Sequence, residues 1–461
     1  MEMSVLSPKK QKERNVCDIS GLLYSISERL LICKGSAKIK ALICIPMGKE
    51  FTRFILIFII LELTFLAFGQ GGSISPLEVL QVERKLKHFR RHSLRSIQSE
   101  DGDIIDCIDI YKQPAFDHPA LKYHKIQMAP TYNGTMEQTR TRSNRAEEST
   151  MTVISQIWQK RRRCPKRTIP VRRIRKRELL KFPTIEDYGR KKTMFSRQAV
   201  QTNQNLDSSV QQQNHSKAIV FTEGYRYLGA KGDMQVFNPF VETDDEYSTS
   251  QVSLLSGAYN NYECIEAGWA VNPSVYGDRQ TRLFAYWTAD GSKKTGCFDL
   301  TCPGFVQTNN EIALGAVINP ISIPSNLTFQ ITIYIYKDPF TNKWWLQYNE
   351  KTNIGYWPAE IFQGLRGNAE SVEWGGEVYS TRIGTRPHSK TQMGNGRFPD
   401  IGISAVITRM RIHDNYPELK SPDWVYSFSD EFNCYGARYV GDYIEDPEFY
   451  YGGPGRNPMC P

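Results

Sequence analysis

Most ways of activating a nucleophile can be struck from this sequence, and carboxylates are what remain. There is no Gly-rich phosphate loop and no Gly-x-Ser-x-Gly elbow. His88 and His92 stand four apart, a spacing that binds zinc on a helix. No carboxylate base lies between them and no third ligand follows. No Cys-x-x-Cys pair occurs, and beyond residue 217 the histidines are His388 and His413, neither with a recognisable nucleophile partner. No metal or cofactor is therefore expected, and acid–base work falls to Asp and Glu.

Two glutamates stand out by context. In Glu263-Cys-Ile-Glu-Ala-Gly-Trp-Ala-Val271, strand alternation puts Ile265, Ala267, Trp269 and Val271 on an apolar face. Cys264, Glu266, Gly268 and Ala270 point the other way. In Ser371-Val-Glu-Trp-Gly-Gly-Glu-Val-Tyr379, Val372, Trp374, Gly376 and Val378 share one face, and Glu373, Gly375, Glu377 and Tyr379 the other. A strand glycine beside each carboxylate lets another backbone approach, as a peptide-binding groove over a sheet requires. Two carboxyls in one cleft cannot both ionise easily, so they share a proton. One can then draw a proton from water while the other polarises the scissile carbonyl or protonates the leaving nitrogen. Two ordinary solvent-facing glutamates fit the same pattern.

The elements that would hold them read as β. The chain has 461 residues, 40% hydrophobic and 12% aromatic, enough to bury a large core. From about Ala218 onward, short alternating runs are separated by turns. In Ser325–Tyr336, residues Leu327, Phe329, Ile331, Ile333 and Ile335 face one way. Trp344–Tyr348 begins the return strand. Such runs over the last 245 or so residues predict an all-β antiparallel sandwich or barrel. Ahead of it, Leu77 to about Ile97 predicts an amphipathic basic helix, with Val79, Val82, Leu86 and Phe89 as its stripe and Leu94 and Ile97 nearby. Residues 103–111 alternate in part like a strand, completing a smaller α+β region at 70–195. Residues 196–216 are polar and read as a linker before a domain at 217–461.

Charge and targeting narrow the setting. Residues 217–461 carry 20 basic and 28 acidic residues, a net of −8, which leaves +17 on residues 1–216. A basic nucleic-acid-binding core is thereby excluded. The runs Arg161–Arg163 and Arg175–Arg177 suit processing sites, or a cationic face docked on an acidic domain. Lys49 and Arg53, the apolar run from Phe54, and Ala67-Phe68-Gly69 make residues 47–69 a signal peptide. Residues 1–46 then form an over-extended N-terminus, and no membrane span is expected after cleavage. Secretion fits the ten cysteines and the sequons at Asn133, Asn214 and Asn326.

Several segments resemble the plant neprosin family of secreted glutamic peptidases. They are Cys264-Ile-Glu-Ala-Gly-Trp269, Tyr276-Gly-Asp-Arg-Gln-Thr-Arg-Leu283, Tyr286-Trp-Thr-Ala-Asp-Gly291 and Gly296-Cys-Phe-Asp-Leu-Thr-Cys-Pro-Gly-Phe305. Ile354-Gly-Tyr-Trp-Pro358, Trp374-Gly-Gly-Glu-Val378 and Gly452-Gly-Pro-Gly-Arg-Asn-Pro-Met-Cys460 follow in order. Upstream, Asp106–Pro119 and Cys164–Arg173 look like that family's activation segment. Cys264 departs from the small polar residue commoner there.

The resemblance implies a β-sandwich of two large sheets with Glu266 and Glu377 as the catalytic pair. It implies disulfides Cys297–Cys302 and Cys434–Cys460, with Cys107–Cys164 in the pro-region and Cys264 left as the odd thiol. It further implies a zymogen whose pro-domain is its own intramolecular inhibitor, and a monomer. The substrates would be proline-containing peptides or proteins, cut after proline at acid pH. Trp269, Tyr286, Trp287, Trp374 and Tyr379 are candidate walls of a proline slot. The location would be extracellular, in apoplast or cell wall, or vacuolar. The alternative is a catalytically silent secreted β-sandwich that binds cell-wall glycans or peptides.

Overall fold

A computed structural model describes residues 76–461. It leaves out residues 91, 133–135, 138–154, 161, 194, 198–210, 259–260, 324–326, 415–417 and 442–445. The signal-peptide reading and the sequons at Asn133 and Asn326 fall outside the described residues.

Two antiparallel sheets make the body. Counting α1 (Pro76–Arg90), β1 (Ser93–Gln98), β2 (Ile104–Asp109), β3 (Thr168–Arg172) and α2 (Lys176–Leu179) first, the sandwich begins with β4 (His215–Tyr227), β5 (Gly229–Gln235), β6 (Tyr247–Ser256) and β7 (Glu263–Val271). It continues through β8 (Arg282–Thr288), β9 (Cys297–Phe298), β10 (Val306–Gln307), β11 (Gln330–Lys337), β12 (Trp344–Tyr348) and β13 (Thr352–Trp357). The last strands are β14 (Ala369–Tyr379), β15 (Ala405–His413), β16 (Tyr426–Ser429), β17 (Gly436–Val440) and β18 (Glu448–Gly452). One sheet runs β9-β8-β7-β6-β14-β4-β16, and the other β10-β13-β12-β11-β5-β15-β18-β17.

Alternation explains the core between them. Ile265, Ala267 and Trp269 of β7, and Val372, Trp374 and Val378 of β14, join Ile331, Ile333 and Ile335 of β11 in one apolar cluster. Both indole N–H groups find carbonyls, Trp269 on Gln235 and Trp374 on Lys231. Trp287 belongs to the same cluster, edge-on to Phe362. The three tryptophans therefore fill the core and are no walls of a cleft on the outer face. Their strand parity already assigned Trp269 and Trp374 to that side.

The activation region is a small α+β layer. β1, β2 and β3 form a three-stranded sheet, and α1 lays Val82 and Leu86 against α2 and the outer face of the sandwich. The helix ends at Arg90, so Leu94 and Ile97 lie on a strand instead. Ile97 packs with Ile105 and Cys107. His92 lies beyond the helix end, so the four-residue spacing from His88 loses its helical meaning. His88 meets Asp117 at 2.7 Å.

Two arginines between the basic runs are neutralised inside this layer. Arg172 pairs with Glu178, and Arg173 bonds Asp106. The reverse polarity also crosses the boundary, because the catalytic side's fully buried Arg282 pairs with Asp103. Pairs of the expected polarity cross it as well, Arg163 with Glu311 and Lys181 with Asp244. The expected linker is shorter too, since Phe195–Arg197 pairs with Gln211–Gln213 and β4 opens at His215. Asn214 is 7% exposed, which leaves an N-glycan no room in this fold. Among the described residues no helix is long and apolar enough to cross a membrane.

All three disulfides, Cys107–Cys164, Cys297–Cys302 and Cys434–Cys460, are formed, and Cys264 is free and buried. Cys434–Cys460 closes 26 residues and holds the tail, where Pro461 O accepts from His388 N. Replacing both by serine should cost about 3 kcal/mol of unfolding free energy, read by urea titration. An unchanged midpoint would show that the tail is held without the bond.

Candidate active site

The carboxylates of Glu266 and Glu377 come together through one lysine that belongs to neither strand. On β7, Glu266 stands opposite Ser253 of β6 and Tyr286 of β8. On β14, Glu377 stands opposite Thr249 of β6 and Lys217 of β4. Strand parity turns both side chains to the outer face, as the sequence requires, yet they are only 5% and 4% exposed. The cover is the segment following Tyr188. Phe298 N donates to Gly189 O at 2.7 Å, and Lys191 N donates to the Tyr286 hydroxyl at 3.3 Å. Its ammonium then reaches Glu377 Oε2 at 3.0 Å and closes on Glu266 Oε1.

The glycines have a different use from the one expected. A Cβ on Gly268 would lie 1.9 Å from Ser250 O, and one on Gly375, at φ +150°, 2.3 Å from Ala218 O. The backbones that approach are the neighbouring strands of the same sheet, so these glycines let the sheet close around the carboxylates.

The two environments are unequal. Glu377 Oε1 accepts from the Tyr247 hydroxyl at 2.6 Å and faces His215 Nδ1 at 2.8 Å. His215 Nε2 meets Lys192 O at 2.9 Å, tying the same ring to the covering segment. Burial alone would raise the Glu377 carboxyl. Lys191, His215 and Lys217 outweigh it and hold the group well below the usual carboxylate range. Glu266 has, besides Lys191, the Ser253 hydroxyl at 3.2 Å and the Cys264 thiol at 3.8 Å. Burial, then Glu266, pushes that thiol well up. Burial also works against the Lys191 ammonium, but Glu266 and Glu377 raise it above the ordinary lysine value.

Aromatic rings complete the seat. The Lys191 ammonium lies 5.1 Å from the Tyr286 ring centre, 5.8 Å from Tyr247 and 5.9 Å from Phe298. Tyr379 stacks on Tyr247 at 5.4 Å. Of the five aromatic walls expected from sequence, Tyr286 and Tyr379 stand on this face, while Tyr247 and Phe298 were not foreseen. Neither was His215, which sequence reading placed in the linker. His388, Cys434 and Cys460 approach one another, but the two sulfurs are bonded together and offer no thiolate ligand.

Residues 244–454 match the Neprosin family, and residues 96–221 match the Neprosin activation peptide. The chain belongs to the neprosin family and carries both its activation peptide and its catalytic domain. Among solved structures it is similar to scytalido-glutamic peptidase with a transition state analogue inhibitor. That match has 11% identity and a TM-score of 0.29, over 52% of this chain and 98% of that one. It is also similar to SCP-B, an Eqolisin-family peptidase complexed with the tripeptide Ala-Ile-His, at 8% identity and a TM-score of 0.27, again over 52% and 98%. Likenesses this faint decide nothing about the chemistry of the site. The family and the fold together define a peptidase made with an inhibitory activation segment.

Proposed function

We propose that this chain is the zymogen of a secreted glutamic endopeptidase that cleaves after proline in acid. The observation that carries the reading is Lys191, a cation of the activation segment, seated between Glu266 and Glu377. With Lys191 gone, two carboxyls face one open slot and share a proton. Glu377 keeps the Tyr247 and His215 contacts, which favour its ionised form. Glu266 is left with a hydroxyl and a thiol.

Glu377 is accordingly the base and Glu266 the acid. Glu377 takes a proton from water as the oxygen attacks the scissile carbonyl. Glu266, protonated, donates a hydrogen bond to the developing oxyanion. As the C–N bond breaks, the proton gained by Glu377 passes to the amine nitrogen. The slot that Lys191 vacates is lined by Tyr286, Tyr247 and Phe298, and flat rings of this kind accept the ring of a proline side chain. A cut between about Arg177 and Ser216, the later part of which is polar in sequence, would complete maturation.

The test is a proline-containing peptide library incubated with the secreted protein at pH 4, with cuts mapped by mass spectrometry. Cleavage after proline that disappears in Glu266→Gln is the expected result. Cuts with no proline preference would remove the slot assignment, and no cuts at all would favour the silent binding protein.

A further inference from the structure

A second ion pair lies beside the candidate dyad and is left unused by the mechanism above. Lys217 Nζ meets Glu373 at 2.8 Å, and both side chains are only 17% exposed. Both stand on the outer face of the sheet, where Lys217 is the cross-strand partner of Glu377 and Glu373 precedes Glu377 by two strand pairs. A buried ion pair is weak support for stability, because removing two charges from water costs most of what their attraction returns. Its position gives it another use.

We infer that Lys217 and Glu373 form a charge-balancing pair that sets the charge state of Glu377 once Lys191 has left. This rests on the reading of Glu377 as the base. The charged and titratable groups facing Glu377 can be named strand by strand. β4 contributes His215 and Lys217, β6 Tyr247, and β7 Cys264 and Glu266, with Tyr262 just ahead of β7. β8 contributes Tyr286, β14 Glu373 and Tyr379, and the activation segment Lys191 and Lys192. After maturation Lys217 is the lysine that stays. Its own surroundings are Glu373, Glu377 and Tyr262, with Asp430 accepting from its backbone N–H at 2.9 Å. Burial disfavours the ammonium, but Glu373 and then Glu377 hold it well above the ordinary lysine value, so it is charged throughout the acid range.

The signs follow from Coulomb attraction. Lys217 favours the ionised form of Glu377, and Glu373 opposes it, both by its own charge and by drawing the ammonium to itself. Removing Lys217 must therefore raise the pH at which Glu377 protonates, whereas neutralising Glu373 must lower it. Loss of packing would not produce shifts of opposite sign.

The experiment follows the Glu377 carboxylate by carbon-13 NMR in the full chain carrying Lys191→Met, where no ammonium of the activation segment sits on it, assigned by its absence in Glu377→Gln. It also measures the acid limb of kcat/KM after maturation. Lys217→Met should move both midpoints up by about one pH unit, Glu373→Gln should move both down, and Lys217→Arg should keep them near wild type. If Lys217→Met does not fold, Glu373→Gln and Lys217→Arg still carry the comparison. Midpoints that stay put, or move the same way in both variants, overturn the inference. A wild-type protein that cleaves no peptide sinks the reading of the site instead, and the NMR midpoints still decide the role of Lys217.

Discussion

Lys191→Met should abolish latency at neutral pH. The substitution keeps the unbranched apolar stem of the side chain and removes its charged end, leaving Glu266 and Glu377 facing each other without a cation. Breaking one partner out of a buried ionic group costs about 3–5 kcal/mol, which would raise the opening constant of the segment by roughly 10²- to 4 × 10³-fold. The rest of the activation layer should stay docked, since Leu86, Leu179 and Tyr188 pack against Phe284, Tyr286 and Phe298, and Arg282 keeps Asp103.

In the wild type the pH dependence must come from the carboxylates. Lys191 has a raised pKa, so its contribution to docking is complete below the free-lysine value and constant through the acid range. Glu377 is depressed in the docked state, so its contribution is present above the ordinary carboxylate pKa and lost as pH falls through the docked one. Docking has to expel any proton the open pair holds, which weakens the latch about tenfold per pH unit for each proton. Maturation followed on gels should therefore accelerate from pH 6 to pH 4 in the wild type and be fast throughout in Lys191→Met. A Lys191→Met zymogen as slow at pH 7 as the wild type would show that the lysine is not the latch.

Much of the outer face was legible because strand parity is a local rule. It put Glu266, Glu377, Glu373 and Tyr379 on one side and Trp269 and Trp374 on the other without knowledge of any neighbour. What parity cannot say is what lies above that face. Lys191 sits in the run Gly189-Arg-Lys-Lys192, where nothing in composition separates the buried lysine from the exposed one beside it. The charge split between the two halves pointed to an electrostatic latch, yet Arg172 and Arg173 answer acids of their own layer, Glu178 and Asp106. Across the boundary Arg163 meets Glu311 and Lys181 meets Asp244, but only Lys191 reaches the two candidate carboxylates. His215, Tyr247 and Phe298 converge from β4, β6 and β9, and no spacing between residues 215, 247 and 298 encodes that meeting. The strand glycines were rightly marked as points of close approach, but the approaching backbone is within the sheet.

Glu266 and Glu377 should behave as one unit, 111 residues apart in sequence and joined by a single ammonium in the latent form. After maturation in trans by a trace of active enzyme, Glu266→Gln or Glu377→Gln should each lower kcat by roughly 10³-fold or more, the scale of a lost acid or base in a shared proton path. The double variant should be little worse than either, because groups that serve one transition state together fail together. Stability should hardly change in the matured form, since neither side chain enters the cluster between the sheets. In the latent form each Gln variant leaves Lys191 a single carboxylate, so the segment should open more readily although no turnover follows. That pairing of a looser latch with a dead site separates the dyad from a merely structural role. Glu373→Gln is the contrast: it should keep turnover with its acid limb displaced, because Glu373 meets Lys217 and not Lys191. If Glu373→Gln stopped cleavage while Glu377→Gln retained it, the base would be Glu373. The slot under Lys191 would then not be where peptide is cut.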